Sequence, residues 1–260
     1  MLNTTINEVK MQLKAGTPTA GAWLQLCSTI AADIMADAGF DWLLIDMEHS
    51  PLGMETLMTI VQAMQGRKAV PFVRPPWNDF VTIKRILDTG VYGVVVPYVN
   101  TREEAEAAVR ACKYPPLGVR GVANSPRGAS YGASFERIKT LNEEICVITQ
   151  IETIEAVSNV PELLKVDGLD GLFIGPMDLS SSCGHLGNPD HSEVREVIEE
   201  VERLVFASDK FLGTISFNWE DACAKFDRGY KFVTIMSDIG ALADAARNTV
   251  RQFNAKYGKN

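Results

Sequence analysis

The sequence predicts an α/β protein built as a single (β/α)8 barrel, a TIM barrel, over residues 1–260. Three observations predict it. Short apolar runs alternate with helix-period segments about eight times along the chain. The runs are apolar at nearly every residue rather than at every second one, as in parallel strands buried on both faces. A length of 260 residues suits one barrel of this kind, although two smaller domains would also fit. The main alternative is a doubly wound open sheet. That fold usually marks its ligand site with a glycine-rich first turn, and none is present.

The elements follow in order. The first run, residues 20–26, leads to a helical segment at 29–38. Run 42–46 comes next, then a helix in which Met54, Leu57, Met58, Val61 and Met64 form a stripe at spacings of three and four. Run 69–74 precedes a helix at 79–87. Run 93–98 precedes a helix at 105–111, opened by Thr101 and Glu104 at capping-box spacing. An irregular stretch, 114–132, carries Gly118, Arg120, Gly121, Arg127, Gly128 and Gly132. A loop this long in a compact domain is either functional or a surface excursion. Run 145–151 and a helix at 154–164 follow, then run 171–175 and a helix at 193–207. Runs 211–216 and 231–236, with helices at 219–227 and 239–253, complete the set.

Composition narrows the function classes. The chain has 25 Lys and Arg against 33 Asp and Glu, a net charge of −8. It lacks the cationic excess that neutralises phosphates, which argues against nucleic acid and against anionic membrane surfaces. No apolar run approaches the roughly 20 residues that span a bilayer. Residues 1–14 lack the apolar stretch of a secretory signal. The five cysteines are odd in number, scattered and without a CxxC pair, as in a reduced, cytoplasmic protein.

Ligands bind at the C-terminal ends of barrel strands. Polar residues collect at those ends: Gln25, then Asp46, Glu48 and His49, then Arg74, then Gln150 and Glu152, then Gly175 and Asp178. Glu152 and Asp178 follow neighbouring strands. Two carboxylates brought together repel unless a cation or a shared proton intervenes. No cysteine or histidine accompanies both, so an oxygen-preferring ion, Mg2+ or Mn2+, is the expected metal. Either acid alone reads equally well as a residue facing a helix N-terminus. The pair in adjacent loops favours metal.

His49 can take and return a proton near neutral pH. The alternative is a packed histidine satisfied by backbone, and its strand-end position favours catalysis. Arg74 can steady an enolate or hold a carboxylate. It can also pair with Asp46 or Glu48, and both roles can hold at once. Gly175, Pro176 and Met177 form a turn whose free amides can receive a carboxylate. Trp23, Trp42 and Trp77 are expected to line the core or a pocket. His185 and His191, in or beside the polar stretch 180–190, are expected at the surface. A Schiff-base mechanism needs a lysine at a strand's C-terminal end. Lys68, Lys210 and Lys231 instead precede strands, while Lys84, Lys165 and Lys225 fall on or near helices. No glycine-rich cradle follows the last two strands, so a phosphorylated substrate is not expected.

Five motifs in order carry a family resemblance: GFDWLLIDMEHSP (39–51), VRPPWND (73–79), YPPLGVRGV (114–122), QIET (150–153) and GLFIGPMDLS (171–180). From about Gly21 to the final helix the chain resembles the HpcH/HpaI aldolases, metal-dependent enzymes of 2-keto acids. The resemblance implies a barrel of the phosphoenolpyruvate/pyruvate type and reversible cleavage of a 4-hydroxy-2-keto acid to pyruvate and an aldehyde. It implies that Glu152 and Asp178 hold Mg2+ or Mn2+, with Co2+ as a substitute. It makes His49 the general base and Arg74 the enolate-steadying arginine. Trp23 and Gln150 then lie beside the keto acid, and the amides of Gly175 and Met177 receive its carboxylate. Asp88 pairs with the catalytic histidine of a neighbouring subunit, in a hexamer (a trimer of dimers) that exchanges terminal helices. Met47 replaces a common glycine and the loop 123–128 departs from a commoner alanine-rich version. Both are expected to face the variable end of the substrate. Two alternatives keep the barrel. One is a macrophomate synthase-like oxaloacetate decarboxylase or another pyruvate-enolate enzyme. The other is a non-catalytic 2-keto acid binding protein, against which the intact base, arginine and carboxylates argue.

Overall fold

Successive residues of a strand point to opposite faces, so parity decides which side chains enter a barrel. The computed structural model describes residues 6–133 and 135–258. The ends of the expected domain, and residues 1–5 of the segment read as lacking a signal, lie outside them. The strands are β1 (Thr19–Leu24), β2 (Trp42–Asp46), β3 (Val70–Arg74), β4 (Gly93–Val96), β5 (Cys146–Ile151), β6 (Gly171–Ile174), β7 (Phe211–Ile215) and β8 (Phe232–Ser237). They are all parallel and close into a barrel in chain order, with Thr19 of β1 opposite Phe232 of β8. Each expected strand is present to within two residues at either end.

The helices are α1 (Glu8–Lys14), α2 (Thr29–Asp37), α3 (Met54–Ala63), α4 (Phe80–Asp88), α5 (Arg102–Cys112), α6 (Phe135–Glu144), α7 (Ile154–Leu163), α8 (Pro176–Ser182), α9 (Ser192–Phe206), α10 (Trp219–Arg228) and α11 (Asp238–Tyr257). The capping box of α5 forms as its spacing requires, with Thr101 and Glu104 exchanging bonds. Most of 114–132 is irregular and ends in a short 3-10 turn, Arg127–Gly132. Among the described residues, no helix is long and apolar enough to cross a membrane.

Parity sorts the core into two layers. Trp42, Leu44, Phe72, Val95, Cys146, Ile148, Phe173 and Phe232 fill the barrel. Their neighbours Leu43, Ile45, Val73, Val94, Val96 and Val147 face outward and pack with the helices. Inside, Trp42 stacks on Phe232 with centroids 3.6 Å apart and planes 5° from parallel. Glycines make this possible. A Cβ on Gly21 would lie 2.2 Å from the Trp42 ring, and one on Gly93 would lie 2.2 Å from Phe72. Below this layer α1, which the sequence reading did not anticipate, adds Val9 and Leu13 to the interior. Lys10 of α1 fixes it in place, donating to Ile145 O at 2.8 Å and to Asp170 Oδ2 at 2.9 Å.

The last helix behaves differently. Asp238 anchors it, its carboxylate accepting the Gln25 and Leu26 N–H groups at 2.8 and 3.1 Å. Beyond Asp238 no described residue of α11 is buried, and Leu242, Val250, Phe253 and Tyr257 are exposed. Ile30 and Ile34 of α2 are exposed as well.

The glycine–aromatic fit yields a test. Gly93→Ala is expected to cost about 1–3 kcal/mol through overpacking against Phe72, read as a lowered urea midpoint. An unchanged midpoint would mean that the ring yields freely.

Candidate active site

Counting in twos from the interior residues gives the site. Trp42 and Leu44 point inward, so Asp46 does too; Phe72 brings Arg74 inward, and Ile148 brings Gln150 and then Glu152. The mouth of the barrel is therefore polar because of where the strands end.

Asp46 is fully buried and Arg74 nearly so. Arg74 grips Asp46 with two bonds, Nε to Oδ1 at 3.0 Å and Nη2 to Oδ2 at 2.7 Å. Trp23 Nε1 and Gln25 Nε2 donate to Oδ2 at 3.1 and 3.0 Å. The N–H groups of Glu48 and His49 donate to Oδ1. Burial works to raise the Asp46 pKa. The Arg74 bonds and charge, with Trp23 and the His49 amide, outweigh it and leave the group below its ordinary 3.8. The guanidinium also lies over the Trp23 ring at 4.6 Å. Its free Nη1 sits 3.0 Å from Glu48 Oε2. Both ion pairs weighed for Arg74 thus form. The contact with Glu48 is a charge contact rather than an aligned hydrogen bond, since that oxygen has no hydrogen-bond partner.

Three further carboxylates, Glu48, Glu152 and Asp178, lie beyond this pair. Glu152 is buried, with Oε1 accepting the Tyr98 N–H at 2.6 Å and Oε2 accepting the Gln150 amide. Tyr98 takes a left-handed φ of 57° to present that N–H. Burial raises the pKa of Glu152; the bonds from Gln150 and Tyr98 oppose it, and the charges of Glu48 and Asp178 add to it. Glu48 is raised too, first by burial and then, against Arg74, by Asp46 and Asp178. Asp178, exposed on the first turn of α8, thus acts electrostatically on both acids. Gly175 lets this happen, because a Cβ there would come within 3.0 Å of Glu152 Oε2 and 3.1 Å of Gln150 Nε2.

The donor set fits a hard divalent cation. It consists of oxygen atoms, it concentrates negative charge, and it leaves Gln150 Oε1 and Glu48 Oε2 buried without hydrogen-bond partners. Glu152 and Asp178 lie at the same end of the barrel, as a shared ion requires.

A cavity of about 500 Å3 opens here. Trp23, His49, Arg74, Gln150, Met177 and Asp178 line it, and Phe217, Met236 and Asp244 form its outer wall. The His49 side chain is mostly exposed, with Nε2 3.8 Å from Glu48 Oε2. Asp46 and Glu48 were weighed as partners of Arg74, yet the crowding of donors on Asp46 was not foreseen. The inward parity of residue 46 was the available signal.

Asp88 ends α4, whose C-terminus lies at the opposite face of the barrel from the cavity, and it accepts from Arg120 Nη2 at 3.0 Å. Within one chain it is remote from His49, as a pairing expected between subunits allows. Other expectations need correction. The loop 123–128 follows α5, also at that opposite face, and none of it lines the cavity. Met47 points outward and is buried in the strand–helix layer, because its parity is opposite to that of Asp46. Gly175 lines the cavity, but its N–H is committed to Ile151 O at 3.0 Å. Its contribution is space. Pro176 has no N–H, so the amides at the start of α8 that lack an intrahelical partner are those of Met177 and Asp178. His185 and His191 lie at the surface as expected, partly exposed, and stack on one another.

A family model described as HpcH/HpaI aldolase/citrate lyase matches residues 19–245, from β1 into α11. The chain belongs to this family. This HpcH/HpaI chain is 44% identical over 248 residues to a 4-hydroxy-2-oxo-heptane-1,7-dioate aldolase of Klebsiella pneumoniae subsp. pneumoniae, covering 95% of this chain and 94% of that one. An HpcH/HpaI aldolase/citrate lyase family protein from Burkholderia cenocepacia J2315 superposes with a TM-score of 0.92 at 32% identity, covering 95% and 99% of the two chains. Macrophomate synthase, at 22% identity and a TM-score of 0.85 over 97% of this chain and 90% of its own, shares the fold.

The buried pair of this HpcH/HpaI site makes a stability prediction with a sign. Asp46→Asn is expected to cost about 3–5 kcal/mol at neutral pH, because Arg74 keeps a buried charge without its partner. The folded-state pKa of Asp46 lies below its ordinary 3.8. The wild-type advantage is therefore complete above that value and is lost as pH falls through the lower one. Urea titrations of both proteins from neutral to strongly acid pH measure it. Equal stability at neutral pH would dismiss the pair as a structural anchor.

Proposed function

We propose that this protein is a divalent-metal-dependent aldolase that reversibly cleaves a 4-hydroxy-2-keto acid to pyruvate and an aldehyde. Membership of the family and 43–44% identity to named aldolases over most of the chain make it a carbon–carbon lyase. The observation that supports the finer reading is one cavity lined by Asp178, Gln150, His49 and Arg74, with Glu152 bonded to the Gln150 amide and the Gln150 oxygen buried without a hydrogen-bond partner. Glu152 and Asp178 are the metal ligands in this reading, with Mg2+ or Mn2+ as the ion. When bound, the ion supplies a Lewis acid for the keto and carboxylate oxygens of the substrate.

The chain's own groups do the rest. The Met177 amide and Gln150 orient the keto acid, and Trp23 packs beside it while holding the Arg74 plane. His49, exposed to the cavity, takes the proton of the C4 hydroxyl. The C3–C4 bond then breaks, its electron pair stays on the three-carbon fragment, and the aldehyde leaves. Arg74 faces the developing enolate oxygen with a charge that Asp46 keeps fixed in direction. Return of the proton to C3 completes pyruvate. Run backward, the same steps add pyruvate to an aldehyde, and the outer wall at Phe217, Met236 and Asp244 meets the variable end.

The reading includes a homo-oligomer, a hexamer built as a trimer of dimers with exchanged terminal helices. The exposed Leu242 and Val250 of α11 and Ile30 and Ile34 of α2 support it. So does Asp88, which can serve His49 only across an interface between copies.

Pyruvate release from a 4-hydroxy-2-keto acid tests the activity. A chelator is expected to abolish it, and Mg2+ or Mn2+ to restore it. Mn2+ is expected to raise the melting temperature of the wild type but not of Glu152→Gln/Asp178→Asn. Arg74→Met is expected to lower kcat about 100- to 1,000-fold, as loss of one oxyanion donor does. Full turnover in excess chelator, or in Glu152→Gln/Asp178→Asn, would reject the metal role. Oxaloacetate consumed without any aldol cleavage would move the protein to decarboxylation.

A further inference from the structure

A second cluster of ligating side chains lies outside the cavity, in the connection between α8 and α9. His185, His191 and Glu193 bring one nitrogen or oxygen atom each to within 4.8 Å of the others. Among the described residues they are the group of three or more His, Cys, Asp or Glu side chains that meets this spacing. The loop is folded to bring them there. His185 N donates to Ser180 O at 2.8 Å, Asn188 N to His185 O at 2.9 Å, and His191 N to Asn188 O at 3.2 Å. Gly184 and Gly187, with φ of 84° and 76°, make the two turns that a side chain would oppose. The imidazole rings then lie face to face, 3.5 Å apart and 15° from parallel. His185 Nε2 sits 2.7 Å from Glu193 Oε2.

We propose that His185, His191 and Glu193 form a second metal site, one that takes a borderline transition ion, Zn2+ foremost, rather than the hard ion suited to Glu152 and Asp178. Two imidazoles and one carboxylate are a common zinc donor set, and the fourth position is left to water. Nitrogen donors select against Mg2+, whose affinity rests on oxygen. The two sites therefore sort metals by chemistry within one chain.

Loading has a definite local consequence. His191 is the N-cap of α9, and its Nδ1 accepts the Glu193 N–H at 3.3 Å. In the resting state its proton is thus on Nε2. A metal at Nδ1 uses that lone pair, and a metal at Nε2 moves the proton to Nδ1. Either way the cap bond is surrendered. The stacked rings must also splay to aim both nitrogens at one ion. A bound ion would clamp the end of α8, the helix whose first turn carries Asp178, to the start of α9.

The site is independent of the aldolase reading and is tested by binding. Zn2+ is titrated calorimetrically into the full-length protein in excess Mg2+, and into Glu152→Gln/Asp178→Asn. One equivalent is expected in both. His185→Ala and His191→Asn are each expected to weaken it by more than about tenfold, the loss that even an outer partner of a metal ligand causes. Asparagine still caps a helix, so His191→Asn keeps α9 intact, and His185→Ala alters only the loop. No zinc uptake overturns the proposal. So does uptake that survives both histidine changes, which would assign the ion to thiols. Uptake that disappears in Glu152→Gln/Asp178→Asn would assign it to the oxygen site instead.

Discussion

Six donors converge on the two oxygens of Asp46: two from Arg74, one each from Trp23 and Gln25, and the backbone N–H groups of Glu48 and His49. A carboxylate offers about four lone-pair positions, so the bonds are shared and the group stays ionised. The crowding removes freedom from everything around it. Arg74 cannot swing, because two of its nitrogens are committed and its plane rests on Trp23. The chain carrying His49 starts from an amide pinned to the same oxygen. Base and arginine are therefore located relative to one another by a single side chain that touches neither substrate nor metal in the proposed reaction.

The neighbouring acids show the opposite condition. Burial raises the proton affinity of Glu48 and Glu152, and the charge of Asp178 adds to it in both. Tyr98 holds a backbone conformation rare for a residue with a side chain, and its N–H is spent on Glu152. Gln150 gives its amide hydrogens to the same acid and leaves its oxygen without a donor. Buried acids and an unpaired amide oxygen in one place favour a positive partner.

The fold was legible because the barrel strands are apolar on both faces and their ends are polar. The strand-end places of Glu152, Asp178, His49 and Arg74 could be read from the sequence. What escaped the reading needs parity or long-range packing. Met47 and Asp46 are adjacent, yet one packs with helices and the other enters the site; only the strand register separates them. The loop 123–128 was expected at the substrate because it departs from the family's commoner sequence, but it follows a helix and so emerges at the far face. The plug α1 and the bare face of α11 leave no short-range mark, since an amphipathic helix does not state what it will meet. His185 and His191 seemed ordinary surface residues because two glycine turns, rather than helical spacing, bring them together.

Barrel closure has a consequence for the order of events in the cell. Thr19 pairs with Phe232, and Gln25 hands its N–H to Asp238, partners 213 positions apart. A ribosome extends a chain by about 5–20 residues per second. For many seconds the first strand of a nascent chain thus has one edge bare, while Trp23 and Gln25 already reach for Asp46. The cavity's last wall, from β8 and α11, arrives only when translation is nearly over. Pairings of such separation are slow to find by diffusion. Half-finished copies expose the apolar barrel lining at that edge, which makes this seam the place where a chaperone, or another unfinished copy, would take hold.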